Sequence, residues 1–280
     1  MAGAGMNLIK ARIKSVNSTM QITGAMELVA TSKLRRAKEK VERTRPFYLT
    51  LGEAIDNVIA SADVCESDYV RPREVKKTLY IVIAGDRGLA GGYNSSIFKM
   101  TKQLAKSGES LILPIGKKAC EHFKSRGVEL YPISVDCVDD LGVGEALSIG
   151  HTVSEGYLAG EYDRVVIVYT RFVSMMTQSP VYEQLLPLER EGMSCGGNVE
   201  YDLCPDEMLA SIVPQYVGGV LYSAVCESLA SESGARRTAM NAANKNAKEM
   251  IDDLMLRYNR ARQAIITQEI TEIVSGAEAL

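Results

Sequence analysis

Positions 30, 34, 37, 41, 44, 48, 51, 55 and 58 carry Ala30, Leu34, Ala37, Val41, Thr44, Tyr48, Leu51, Ile55 and Val58. The spacing alternates four and three residues without a slip. The same register runs back through Met20, Val16, Ile13 and Ile9. Near the other end, Ala247, Ile251, Leu254, Tyr258, Ala261 and Ile265 repeat it. A stripe every 3.5 residues is a coiled-coil seam, and one helix cannot bury its own seam. Two seams at opposite ends of one chain predict that each is the partner of the other, with a folded segment as the connection.

The first helical pattern covers residues 7–58. Pro46 lies inside it, and because the register continues on both sides, a kink is expected there rather than an end. Around Gly24 the seam is poor, since Thr23 and Glu27 occupy seam positions. A second apolar stripe, Ile22, Met26 and Val29, lies on another face there, so something beyond the partner helix is expected to enclose this part. The helical period returns from Asp206 and runs without a further break to Leu280, with Leu209, Val213, Val217 and Leu221 as its early apolar face. Pro214 is read as a first-turn or kink residue, and Gly218, Gly219 and Gly234 as local weak points.

Between the helices the period changes. Thr78–Ala84 is a β-branched run of the kind that forms a strand buried on both faces. A glycine-rich turn follows, then helix over 95–105, strand over 110–115 and helix over 117–125. Residues 129–134 are expected as a third strand, 143–158 as helix, 164–169 as another buried strand and 181–188 as an edge strand. Strands alternating with helices give an α/β domain with a mostly parallel sheet and helices on its faces. The expected division is 1–60, N-terminal coiled-coil helix; 76–190, α/β globular domain; 206–280, C-terminal coiled-coil helix.

Composition narrows the function classes. The chain has 280 residues, 46% hydrophobic and 24% charged, as in a globular protein. No apolar run approaches the ~20 residues of a membrane span. Residues 1–10 lack the apolar core of a signal peptide, so a cytoplasmic protein is expected. Six cysteines at 65, 120, 137, 195, 204 and 226 include no CxxC pair, and only His122 and His151 could assist them; free thiols are expected, and no metal. Between Lys10 and Arg45 ten Lys or Arg face three acids, Glu27, Glu39 and Glu42. Such a stretch suits nucleic acid, an acidic protein surface or plain solvent. There is no Trp and no aromatic residue before Phe47, so stacking on bases is not provided for.

The most tempting site is Gly85-Asp86-Arg87-Gly88-Leu89-Ala90-Gly91-Gly92-Tyr93-Asn94, after a buried strand and before a helix, where phosphate loops sit. Its glycines do not follow GxGxxG, and no Lys-Ser or Lys-Thr follows as in a Walker A loop. A tight structural turn is the preferred reading. Gly116-Lys117 fails the same test. No HExxH or GxSxG occurs, and Asp139-Asp140 and Asp252-Asp253 point in different directions on any regular element. The chain ends in Ile266–Leu280, an apolar, small-residue helix tip where a free end is ordinarily polar and frayed. Another protein is expected to cap it.

These residues carry a resemblance. The tail, with Ile270-Thr271-Glu272 and Gly276-Ala277 inside it, is similar to the C-terminal signature of the gamma subunits of F-type ATP synthases, Ile-Thr-x-Glu-x-x-Asp/Glu-x-x-x-Gly-Ala, from Ile266 onward. Met26–Leu34 resembles that family's N-terminal motif, and Gly85–Asn94 resembles its Asp-Arg-Gly-Leu-x-Gly-Gly-Tyr-Asn stretch. Glu227–Glu232 and Met240–Ala243 fit too. Ala90 stands where many relatives have cysteine, and Thr31 where alanine is common. The regulatory cysteine insertion of chloroplast relatives is absent, and the start at residue 1 looks bacterial.

The resemblance implies a central rotor shaft that is not itself catalytic and binds no cofactor. Its terminal helices would form an antiparallel coiled coil beside a Rossmann-like α/β domain and turn inside a hexamer of alternating alpha and beta subunits, with an epsilon subunit and the membrane c-ring at the other end and a delta subunit in the same complex. It implies contact with a beta subunit by Arg262, Gln263, Thr267 and Met26. It implies an apolar bearing of Ile270, Ile273, Val274, Ala277 and Leu280, with Met6 and Ile9 lower on the shaft. It implies a foot facing the c-ring at Glu200, Tyr201, Asp202 and Leu203. The expected location is the cytoplasmic face of a bacterial membrane, held through partners. The competing readings are a nucleotide-binding α/β enzyme with coiled-coil arms and a coiled-coil DNA-binding or scaffold protein.

Overall fold

A computed structural model describes residues 2–61, 67–175, 177–188 and 205–278. The element order is α1 (Ala2–Ser61), β1 (Lys77–Ile83), α2 (Tyr93–Leu104), β2 (Glu109–Ile115), α3 (Lys117–Lys124), α4 (Val143–Leu158), β3 (Arg164–Phe172), β4 (Gln178–Leu186) and α5 (Pro205–Glu278). The chain divides into two compact units, Met1–Ala30 with Arg237–Leu280, and Thr31–Arg236. Both long helices contribute to each.

The larger unit is built on a four-stranded sheet in the order β2-β1-β3-β4. β1 pairs in parallel with β2 and β3, while β4 runs antiparallel to β3 at the edge. Strand alternation sorts the core into two faces. Leu79, Ile81, Ile83, Leu113, Val165 and Ile167 point to the face covered by α4, α5 and the end of α1. Tyr80, Val82, Ile112, Val166 and Val168 point to the other, where Ile97, Ala119 and Phe123 from α2 and α3 cover them. Pro180 lies within β4, where an edge position tolerates the missing donor.

The expected strand over 129–134 does not form. Only isolated bridges, Ile112 with Leu130 and Ile115 with Val135, join this segment to β2. Pro132 has no N–H for a ladder, so pairing stops after one bridge and resumes once. Pro214 is not in a first turn, because α5 starts at Pro205, with Asp206 and Glu207 placed to complement the helix dipole. Both α1 and α5 continue through their prolines. Gly218 is more than a weak point. A Cβ there would lie 2.7 Å from the Leu147 Cα, and one at Gly150 would lie 2.5 Å from the Gly218 amide nitrogen. The pair lets α4 and α5 approach backbone to backbone. α5 also contains a stretch long and apolar enough to cross a membrane, but 67% of it is buried within the protein, as in a core helix.

In Thr31–Thr50 the only positions that are not exposed are Leu34, Ala37, Val41, Thr44 and Tyr48, all of them seam positions. Their partner is α5, antiparallel: Leu34 and Ala37 pack with Ala230. Further along, Gly219 lies beside Tyr48 and Gly52 beside Tyr216.

In the smaller unit the two helices also pair antiparallel. Met6, Ile9, Ile13, Val16 and Met20 are half-buried on α1. Between Lys245 and Ile266 only Ala247, Ile251, Leu254, Tyr258, Ala261 and Ile265 escape exposure. The poor stretch of seam is filled by polar groups. Thr23 donates its hydroxyl hydrogen to Asn244 Oδ1. Asn241 and Asn244 donate side-chain amide hydrogens to the two Glu27 carboxylate oxygens, each at 3.1 Å. Such a layer costs stability but fixes one register, since any slip leaves it unpaired.

Candidate functional site

The tip of α5 follows from that register. Twenty-one residues separate Thr23 from Ala2, and the same number separate its partner Asn244 from Ile265. Every residue beyond Ile265 therefore lies past the start of α1, and every one from Ile266 to Ala277 is exposed. Ile273 is 72% exposed and Val274 50%. Of the residues expected to form a bearing, Ile270, Ile273, Val274 and Ala277 lie together on this projecting helix, with Met6 and Ile9 half-buried on the paired part of α1. Leu280 lies outside the described residues. Helix is kept here by local bonds such as Thr271 Oγ1 to the Thr267 carbonyl and Gln268 to Glu272. Leu- or Ile-sized side chains left in water each forgo roughly 1.5–3 kcal/mol of burial.

Arg262 and Gln263 sit on the paired part of α5, and Thr267 just beyond it; all three are exposed. Met26 is half-buried on α1, while its stripe companions Ile22 and Val29, and also Leu8 and Leu28, are exposed. The structure therefore groups Met26 with an open apolar strip and not with Arg262. Lys10, Arg12 and Lys14 are exposed nearby on α1. The expected foot, Glu200, Tyr201, Asp202 and Leu203, lies outside the described residues.

The glycine-rich turn is a packing device within the larger unit. The Gly85 amide donates to Asn94 Oδ1 at 2.9 Å, closing the loop on the first turn of α2. The Asp86 carboxylate accepts the backbone N–H groups of Lys117 and Val138, tying the ends of β1 and β2 together. Leu89 and Gly91 take positive φ values of 62° and 59°. A Cβ at Gly85 would come within 2.7 Å of the Glu232 carboxyl carbon, so glycine is required for α5 to seat its acid there. Arg236 donates to that carboxylate and to the Gly88 carbonyl, and Tyr93 donates its hydroxyl hydrogen to the Ser228 carbonyl. Burial raises the Glu232 pKa, and Arg236 partly opposes this. With this acid against the loop, a phosphate would meet a carboxylate where a nucleotide site offers donors.

The Glu232–Arg236 latch is not apparent from the sequence. Its only signal was an acid and a base four residues apart on one helix, a spacing too common to single out. Asp139 and Asp253, read as solvated, take part in ion pairs with Lys33 and Arg257. Both pairs are half-exposed and so of small energetic weight. Among the described residues no group of three or more His, Cys, Asp or Glu is placed to hold a metal, and Cys120, Cys137 and Cys226 are free.

Comparison with known proteins covers the same features end to end. A family model described as ATP synthase matches residues 5–280. The ATP synthase gamma chain of Alkaliphilus metalliredigens is 45% identical over 99% of both chains. A sodium ion specific ATP synthase gamma chain of Acetobacterium woodii is 42% identical over 97% of both. The fold is shared with a chain of the Euglena gracilis mitochondrial ATP synthase, in a structure of its OSCP, F1 and c-ring parts. The TM-score is 0.71, identity is 18%, and 99% of this chain and 95% of that one are covered. A chain from the central stalk and c-ring of the Tetrahymena thermophila mitochondrial enzyme gives a TM-score of 0.60 at 24% identity, over 79% of this chain and 99% of that one. With paired terminal helices, a latched glycine turn and full-length relatives that agree, this chain belongs to the ATP synthase gamma chain family.

Proposed function

We propose that the chain is the central rotor shaft of an ATP synthase, a non-catalytic subunit that couples ion flow through a membrane c-ring to the catalytic beta subunits. The observation that carries this reading is the α5 tip, an apolar helix end that outruns its partner and stays exposed. An apolar collar stabilises such a tip without fixing its angle, because burial is non-directional. The shaft itself is asymmetric. Two different helices, one with Lys10, Arg12 and Lys14 and an apolar strip, the other with Arg262 and Gln263, present different faces around the coil. Three similar sites around such a shaft each meet a different face. The differential contact energy biases each beta subunit toward an open or closed state.

In this reading Arg262, Gln263, Thr267 and Met26 contact a beta subunit. Ile270, Ile273, Val274, Ala277 and Leu280 form the bearing with Met6 and Ile9, and Glu200–Leu203 face the c-ring. The partners are an alternating alpha and beta hexamer, epsilon, delta and the c-ring, on the cytoplasmic face of the membrane. The coupling ion is a proton or sodium, the latter being named for the Acetobacterium woodii relative.

The test is the double change Arg262→Ala with Gln263→Ala in the complex purified through a tag on this chain. Assembly or steady-state ATP turnover falls if these residues transmit torque. Unchanged assembly and turnover would remove them from the contact.

A further inference from the structure

On the face of the sheet covered by α2 and α3, a cleft of about 940 Å³ opens between the two helices. Its interior is apolar: Phe98, Ala105, Ile112, Phe123 and Val128 line it. Phe98 stacks on His122 at 3.8 Å between ring centroids, with Phe123 edge-on to Phe98 at 5.8 Å, so one wall is preformed. The lining carries Lys99, Lys102, Lys106 and Arg126 and no acid. The three lysines are exposed, and none is in an ion pair within the described residues. Gly91 and Asn94 of the glycine turn lie at its edge, but neither the Glu232–Arg236 pair nor the coiled coil uses this surface.

The geometry points to a docking groove for an amphipathic helix of a second polypeptide, its apolar stripe seated in the cleft and its acidic flanks on the lysines and Arg126. The argument is charge complementarity laid out along a line. Lys99, Lys102 and Lys106 follow one another at intervals of three and four residues along the α2 wall, carried into the short 3-10 turn Ala105–Ser107. That spacing repeats about every 5 Å along a helix and matches acids one turn apart on a neighbouring helix. Arg126 flanks the cleft from the α3 side. A single-headed amphiphile such as a fatty acid would engage one or two of these four cations and leave the rest idle. A helix laid into a groove by its apolar residues, with acids outside, engages all four. The cleft volume accommodates several Leu- or Met-sized side chains.

This groove does not depend on how the shaft transmits torque, and its test is separate. p-Benzoyl-phenylalanine is placed at Lys102 and, separately, at Arg126 in the complex purified through a tag on this chain. The adducts are mapped by mass spectrometry. Both probes should reach the same segment of one polypeptide, an amphipathic helix with at least two acids within a turn of the attachment. Lys99→Glu with Lys106→Glu should lower the yield by about ten-fold or more, the scale on which like charges suppress a partner. Lys117→Glu with Lys124→Glu, outside the cleft, should leave it unchanged. Acyl-lipid adducts, no polypeptide adduct, two unrelated segments, a segment without acids, or indifference to the Lys99 and Lys106 reversal would each overturn the proposal.

Discussion

At the scale of single residues, two glycines and one buried acid make the sharpest demands. Gly150 and Gly218 face each other where α4 crosses α5, and a methyl group at either would meet rigid backbone at 2.5–2.7 Å. Gly218→Ala is expected to lower unfolding stability by about 1–3 kcal/mol through overpacking. Gly24→Ala, whose added Cβ would find only the flexible Asn244 amide at 3.8 Å, should raise it by up to about 1 kcal/mol. Urea unfolding of the two variants decides this; equal shifts would contradict the crossing. Glu232 gives a pH signature. Burial raises its folded pKa above the ordinary carboxylate value of about 4.5, so the native state holds the proton more tightly than the unfolded chain. The contribution of this group to stability therefore declines as pH rises from about 4.5 through the raised folded value. Glu232→Gln should flatten that decline, read as melting temperature against pH. Gly218 was visible in the sequence only as a helix weakness, and Gly150 not at all, because what makes them necessary is a helix distant along the chain.

At the scale of elements, α5 performs three jobs in succession. Its start packs on the sheet through Leu209, Val213, Val217 and Leu221, its middle pairs with α1, and its end projects alone. The apolar tip should be enclosed on assembly, so charge there costs more than charge where the chain is already acidic. Val274→Asp is expected to reduce the yield of intact complex well below that of Glu278→Asp. Equal yields would mean that the tip is not enclosed. The strands illustrate a different lesson. β1 and β3 were readable because continuous β-branched runs suit a doubly covered parallel sheet. The segment over 129–134 carries Leu130, Tyr131 and Ile133, yet pairing there is decided by hydrogen bonding, and Pro132 removes a donor.

At the scale of the whole molecule, the proposed function assigns a bearing to the α5 tip and a foot to Tyr201. Cysteines at position 201 and in the polar loop of a c-ring subunit should crosslink in the assembled complex; crosslinking to the alpha or beta subunits instead would reverse that assignment. How much of this was legible follows from what each signal depends on. Periodicity is local, so the seam from Ile9 to Val58 and from Ala247 to Ile265 could be read off the chain, and every seam position is at least half-buried. The order of strands and helices was legible for the same reason. The apolar tail and the glycine turn were visible as anomalies. Only tertiary structure decided that Glu27 and Thr23 complete a polar layer with Asn241 and Asn244, that Glu232 fills the glycine turn, and that a cationic cleft opens between α2 and α3. Each of these joins groups from separate elements. A sequence specifies what a residue can bury or bond; which partner arrives is settled when the elements pack.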